Sequence, residues 1–176
     1  MRPKQDAGMD EKPGLRAPLL LAARDFVLAA AKLEGIARIA LIGSLTTNKA
    51  CPKDVDLLVT VDPTIDWAQL AGLSRRLKGR AQSNNQGADV FLADEGGAYI
   101  GRVCSYREPW RRVACGARVC GVHPYQCDDK ALLTLGTATV REPPLELWPL
   151  VRRRGDLPND VEDILVAGLP WAHETA

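Results

Sequence analysis

Two aspartates separated by one residue on an apolar segment are the first feature with chemical content. Asp54-Val55-Asp56 opens the run DVDLLVTV (54–61), which is rich in β-branched residues and predicts a strand. Side chains alternate along a strand, so Asp54 and Asp56 project from the same face. Two carboxylates that close repel each other, and burying them unpaired is costly. A divalent cation resolves the conflict, and magnesium favours hard oxygen ligands, commonly one or two carboxylates together with substrate phosphates. Separated from Asp54 by nine residues, Gly43-Ser44 closes the apolar run IARIALIG. A glycine there allows a sharp bend and close approach of a phosphate, and exposed backbone N–H groups with the Ser44 hydroxyl can hold a phosphate oxygen. A third carboxylate, Asp89, begins the apolar run ADVFLAD (88–94). It is a candidate ligand for a second metal ion, or a base for the proton of an attacking hydroxyl. Asp94, at the exit of that run and on its other face, is a weaker candidate.

These residues need elements to position them. Leu19, Ala22, Ala23, Phe26, Ala30 and Leu33 recur at helical spacing over PLLLAARDFVLAAAKLEG, predicting a helix. Strands follow at 36–43, 54–61 and 88–94, with a turn between the first two. Ile65, Leu70, Leu73 and Leu77 mark a second helix between the second and third strands. This order predicts an α+β domain on a small mixed sheet. LELWPLVRRRG and DVEDILVAGL read as helices, the latter with Asp160 as N-cap, and KALLTLGTATV as a strand or a short helix running into one. Residues 1–16 read as a loose tail. Residues 17–176 then form one domain, with a core at about 17–95 and a Cys/Arg-rich and helical part at 96–176.

Gly43-Ser44, then Asp54 and Asp56, then Asp89 on a later strand, resembles the DNA polymerase beta-like nucleotidyltransferase superfamily, and the compact length resembles its minimal members. The resemblance covers roughly residues 20–95. It implies a small mixed β-sheet flanked by helices and transfer of a nucleoside monophosphate from a metal-bound nucleoside triphosphate to an acceptor hydroxyl, with release of pyrophosphate. Residue by residue, it implies that Gly43 and Ser44 hold the triphosphate tail, Asp54 and Asp56 the metals, and Asp89 a metal or the acceptor. Two Mg²⁺ ions are expected on this basis, with ATP the default triphosphate by family analogy alone. Where many minimal members continue Gly-Ser with a small residue, Arg and Gly, this chain has Leu45-Thr46-Thr47-Asn48. Lys53 stands where a serine often precedes the first aspartate. Lys49 and Lys53 are the candidates for the missing positive charge, with Lys53 placed among the nucleotide-binding residues.

The rival readings are a catalytically weak nucleotide-binding or antitoxin-like partner protein on the same fold, and a zinc-stabilised nucleic-acid module at 100–130. Cys115, Cys120, His123 and Cys127, with Cys104 as a spare, show neither a Cys-x-x-Cys pair nor finger spacing, so zinc is disfavoured. Arg102, Arg107, Arg111, Arg112 and Arg118, with Tyr106 and Trp110, and the cluster Arg152–Arg154, read first as a solvated surface and second as a nucleic-acid groove. Lys+Arg 23 against Asp+Glu 22 gives a formal charge of +1, which argues against binding polyanions by bulk charge. Hydrophobic residues at 46% and charged residues at 26% of the 176 exclude a disordered or fibrous chain. Met1 to Gly14 is polar and lacks the apolar core of a signal peptide. Ala17–Ala23 is far short of the roughly 20 residues a bilayer span needs. Five cysteines, an odd number with no export signal, fit a reducing compartment, and the expected location is the cytoplasm, away from any membrane. The acceptor (a protein hydroxyl, an RNA end or a small molecule) and a protein partner are left open by the sequence.

Overall fold

A computed structural model describes residues 16–104, 106, 119–120, 125–128 and 133–173. Among these residues eight strands form one mixed sheet: β1 (Ile36–Ile42), β2 (Asp54–Val61), β3 (Gly87–Ala93), β4 (Tyr99–Val103), β5 (Val119–Cys120), β6 (Gln126–Asp128), β7 (Leu145–Trp148) and β8 (Arg152–Arg153), in the spatial order β5-β6-β4-β3-β2-β1-β7-β8. The α+β class expected from the sequence holds. The sheet is larger than the small one expected, because short strands extend both edges. Among the described residues only β2 and β3 run parallel, and the helix α2 (Trp67–Gln82) crosses over between them, as a parallel pair requires.

The two long helices and a C-terminal one lie on one face. α1 (Arg16–Ala30) buries Leu19, Leu20, Ala22, Ala23, Phe26, Val27 and Ala30, the spacing of a single helical stripe. α2 starts where the Asp66 carboxylate accepts from the amides of Ala68 at 2.9 Å and Gln69 at 3.0 Å, and it buries Leu70, Ala71, Leu73 and Leu77. Both helices and a C-terminal π-helix (Val161–Val166) share a core with Ile39, Leu41, Val55, Leu57, Val59, Val90 and Leu92 from alternate strand positions. The other face carries a smaller apolar patch of Ala40, Ile42, Leu58, Phe91, Ala93 and Tyr99, covered by Val140 of α3 (Thr137–Arg141) and by Leu135. No helix among the described residues is long and apolar enough to cross a membrane.

Three expectations change. LELW is a strand, not the start of a helix, because β1 has a free edge that it fills: Ala40 pairs with Glu146 and Leu41 with Leu145. Trp148 donates to the Ile36 carbonyl at 3.4 Å, and Pro149, with no N–H to give, ends the ladder. Asp160 does not cap the last helix with its side chain. Its carboxylate accepts from Arg16 instead, at 2.6 and 3.1 Å. Arg16, read as tail, is accordingly the first residue of α1; residues 1–15 lie outside the described residues. In KALLTLGTATV the regular element is α3, and residues 130–132 are outside the description.

Candidate active site

The register of β2 against β3 assembles the acidic group. Asp56 stands beside Asp89, and Asp54 beside Gly87. On the opposite side of Asp56 lies Ile42, the last residue of β1. Asp54 and Asp56 share a face with Leu58, and Asp89 with Phe91, so all three carboxylates lie on the face turned away from α1 and α2. Asp54 is exposed, while Asp56 and Asp89 are half-buried.

The electrostatics follow from that crowding. The Asp56 carboxyl is pushed up from 3.8 to about 6, first by burial and then by the charges of Asp54 and Asp89. Each of these disfavours a further negative charge. Among the described residues, Arg102 of β4 offsets part of this by donating to Asp89 Oδ1 at 2.9 Å. Among the described residues, no three His, Cys, Asp or Glu side chains are gathered into a group that would hold a metal ion as they stand.

Two glycines give the carboxylates their room. Gly43 follows β1 with φ +74°, a conformation that L side chains rarely adopt, and a Cβ there would overlap Asp56 Oδ2. A Cβ on Gly87 would overlap Asp54 Oδ1. Gly87 was not among the sequence candidates. Its signal was a glycine at the mouth of the Asp89 strand, which acquires meaning only once the β2–β3 register is known.

Gly43 also opens a 3-10 turn, Gly43–Thr46, held by Thr46 Oγ1 donating to the Gly43 carbonyl at 2.7 Å and by Leu45 plugged into the core. Ser44 is half-buried, and its carbonyl accepts from the Thr47 hydroxyl at 2.8 Å. Beyond the turn, Arg16 holds the loop from behind. Its guanidinium donates to the carbonyls of Leu45 at 3.0 Å, Thr47 at 3.0 Å and Lys49 at 2.8 Å while paired with Asp160. Arg16 is the positioning residue that sequence reasoning missed; nothing local distinguishes it, because its partners are 29 to 144 positions away.

Compared with family models, curated proteins and solved structures, the chain matches none. What it can do must therefore be read from its own residues.

The remaining candidates separate clearly. Lys49 and Lys53 are exposed, and the Lys53 carbonyl accepts from the Gly87 amide at 2.8 Å, which ties the stretch before Asp54 to β3. Asp94 belongs to the β3–β4 turn, accepting from the Ala98 amide at 2.8 Å, away from the acidic group. Cys104 and Cys127 are buried. Cys120 lies opposite Cys127 in register, and Cys115 and His123 lie outside the described residues. So do Arg107, Trp110, Arg111, Arg112 and Arg118, while Tyr106 is exposed. In the other basic cluster, Arg153 pairs with Glu162 at 2.9 Å and Arg154 with Glu142 at 3.5 Å, as a salt-bridged surface would.

Proposed function

We propose that this chain is a metal-dependent nucleotidyltransferase, which moves a nucleoside monophosphate from a nucleoside triphosphate to an acceptor hydroxyl and releases pyrophosphate. The observation that carries the reading is the register of Asp56 against Asp89, with Asp54 on the same open face and the Gly43–Thr46 turn alongside. Three neighbouring hard oxygen donors, with the charging of Asp56 disfavoured by burial and by the other two, suit a divalent cation better than they suit water. Neighbouring strands lie only about 4.8 Å apart, so rotation of side chains, without movement of the sheet, leads from the present arrangement to a shared ligand point.

On this reading Asp54, Asp56 and Asp89 hold the cation. Bound there, it would neutralise charge on the phosphates and lower the pKa of the acceptor hydroxyl. The backbone N–H groups at Gly43 and Ser44, with the Ser44 hydroxyl, receive the triphosphate tail. Lys53, exposed one residue before Asp54, adds positive charge at its rim. Asp89 lies on the side of the group away from the turn, where an acceptor would approach in line. Positioning and charge neutralisation carry most of the rate in such transfers.

The test is to incubate purified protein with each labelled triphosphate, Mg²⁺ and a lysate, and follow the label and pyrophosphate. Asp54→Asn and Asp56→Asn are each expected to reduce transfer at least about 100-fold with an unchanged circular-dichroism spectrum. Unchanged turnover in both variants refutes the mechanism. Nucleotide binding without pyrophosphate release in the unmodified protein would instead identify a binding or antitoxin-like partner protein on the same scaffold.

A further inference from the structure

At the other end of β2, about 13 Å along the strand from Asp56, lies an open cavity of about 390 Å³ whose lining includes Arg38, Thr60, Asp94, Glu95, Gly97 and Arg141. Small-molecule sites have this size. The strand register builds it. Thr60 is paired with Arg38 of β1 on one side and with Ala93 of β3 on the other. Arg38 therefore flanks Thr60 on one side, and the turn after Ala93, with Asp94, Glu95 and Gly97, flanks it on the other. Arg141, the last residue of α3, joins the two sides. Its carbonyl accepts from Arg38 at 3.2 Å, and a Cβ on Gly97 would come within 3.3 Å of Arg141 Cγ. Two properties of this cavity are not explained by packing. Thr60 is only 7% exposed, yet its hydroxyl has no hydrogen-bond partner among the described residues, an arrangement that is destabilising unless something fills it. Both signs of charge also line the space without neutralising each other: among the described residues neither arginine is paired with Asp94 or Glu95. Arg38 instead holds the end of α3, donating to the carbonyls of Val140 and Arg141, and Asp94 Oδ1 accepts from the Ala98 amide at 2.8 Å.

We propose that this cavity binds a small zwitterion, an amino acid whose carboxylate is received by Arg38, Arg141 and Thr60 and whose ammonium group is received by Asp94 and Glu95. A guanidinium fork is well shaped for a carboxylate, and the Thr60 hydroxyl donates to the same group. The ammonium has three N–H donors for the two acidic side chains. A water molecule would satisfy the hydroxyl but not the separated charges. A ligand of one sign would be attracted by one pair of side chains and repelled by the other, whereas a zwitterion meets both. Once bound, it ties the β3–β4 turn to the end of α3. The site uses none of the three aspartates and does not depend on how they are read.

The experiment titrates the ¹⁵N-labelled full chain, followed by amide chemical shifts, with glycine, β-alanine, 4-aminobutyrate, 5-aminopentanoate and 6-aminohexanoate, a series of increasing charge separation. Butyrate and butylammonium serve as ligands with one charge each. At least one amino acid is expected to give saturable shifts at Thr60 and at residues 95–97, with an affinity at least about 10-fold above both single-charge ligands. Arg141→Gln and Glu95→Gln, at exposed positions, should each abolish that preference. Thr60→Val should weaken binding about 3- to 10-fold and leave the melting temperature unchanged or higher, because it exchanges an unpaired hydroxyl for a methyl group of the same shape. A purely structural Thr60 would instead lower the melting temperature and leave affinity unchanged. Absence of saturable shifts with every amino acid overturns the proposal. So does butyrate binding as tightly as the best amino acid, which would mark a plain anion site, or binding that is unaltered in both Arg141→Gln and Glu95→Gln. If Thr60→Val does not fold, the two surface variants decide the matter. Asp56→Asn should bind the series unchanged, so failure here and failure of nucleotide transfer are read separately.

Discussion

The two faces of the central strands are built from the same residues in alternation and behave as different materials. On one face, Val55, Leu57 and Val59 of β2 are fully buried under α1 and α2. On the other, Asp54 and Asp56 stand half or fully open, and only the far end, at Leu58, is covered. Burial stabilises the first face by about 1.5–3 kcal/mol for each large side chain. The second face carries a standing electrostatic cost, seen in the Asp56 carboxyl held at about 6 by burial, Asp54 and Asp89. A single strand therefore provides both the anchor and the strained group, and the anchored face allows the other to hold like charges together.

The largest expected effect breaks the anchored face. Leu57→Ala removes a side chain with 0% exposure and should cost about 3 kcal/mol, read as a lowered urea midpoint at unchanged slope. Its neighbour Asp56→Asn, one residue away on the other face, should cost nothing at neutral pH.

Next comes the link between the faces. Arg16→Ala removes donors to three loop carbonyls and to Asp160. It should cost about 2 kcal/mol and accelerate amide hydrogen exchange in residues 44–49 while leaving exchange in β2 slow. Uniform acceleration across the sheet would mean that Arg16 supports the whole fold and not this loop.

The smallest effect is the pH dependence of the charged face. A carboxyl with a folded pKa near 6 against 3.8 holds its proton longer in the folded chain than in the unfolded one. Its contribution is therefore fully favourable below about pH 4 and is lost as pH rises through 6. Solvent screening at a half-buried group leaves roughly 1–2 kcal/mol of that dependence. Asp56→Asn should flatten the fall in urea midpoint between pH 4 and pH 7, and Mg²⁺ at pH 7 should recover stability in the unmodified protein alone.

The parts of the site legible in the sequence were those set by local periodicity. Alternation put Asp54 and Asp56 on one face, and apolar flanks marked β1, β2 and β3, since a strand's side-chain pattern repeats every two residues regardless of its neighbours. The Gly43 bend was legible because a glycine-serine pair at the end of an apolar run has few other uses. Other features depended on partners remote in the chain. LELW resembles a helix until the bare edge of β1 is there to receive it. Arg16 is one arginine among many until the loop carbonyls and Asp160 surround it.

By itself, then, the amino-acid order determined which residues alternate, where the chain bends, and that three carboxylates belong to apolar strands. Tertiary structure alone decided that β2 and β3 lie side by side in the register that sets Asp56 against Asp89, that Gly87 leaves room for Asp54, and that Arg102 reaches Asp89 from the next strand. The physical reason is range. Alternation is written into each residue's own backbone geometry, whereas register, edge filling and ion pairing depend on surfaces that exist only after distant segments have packed together.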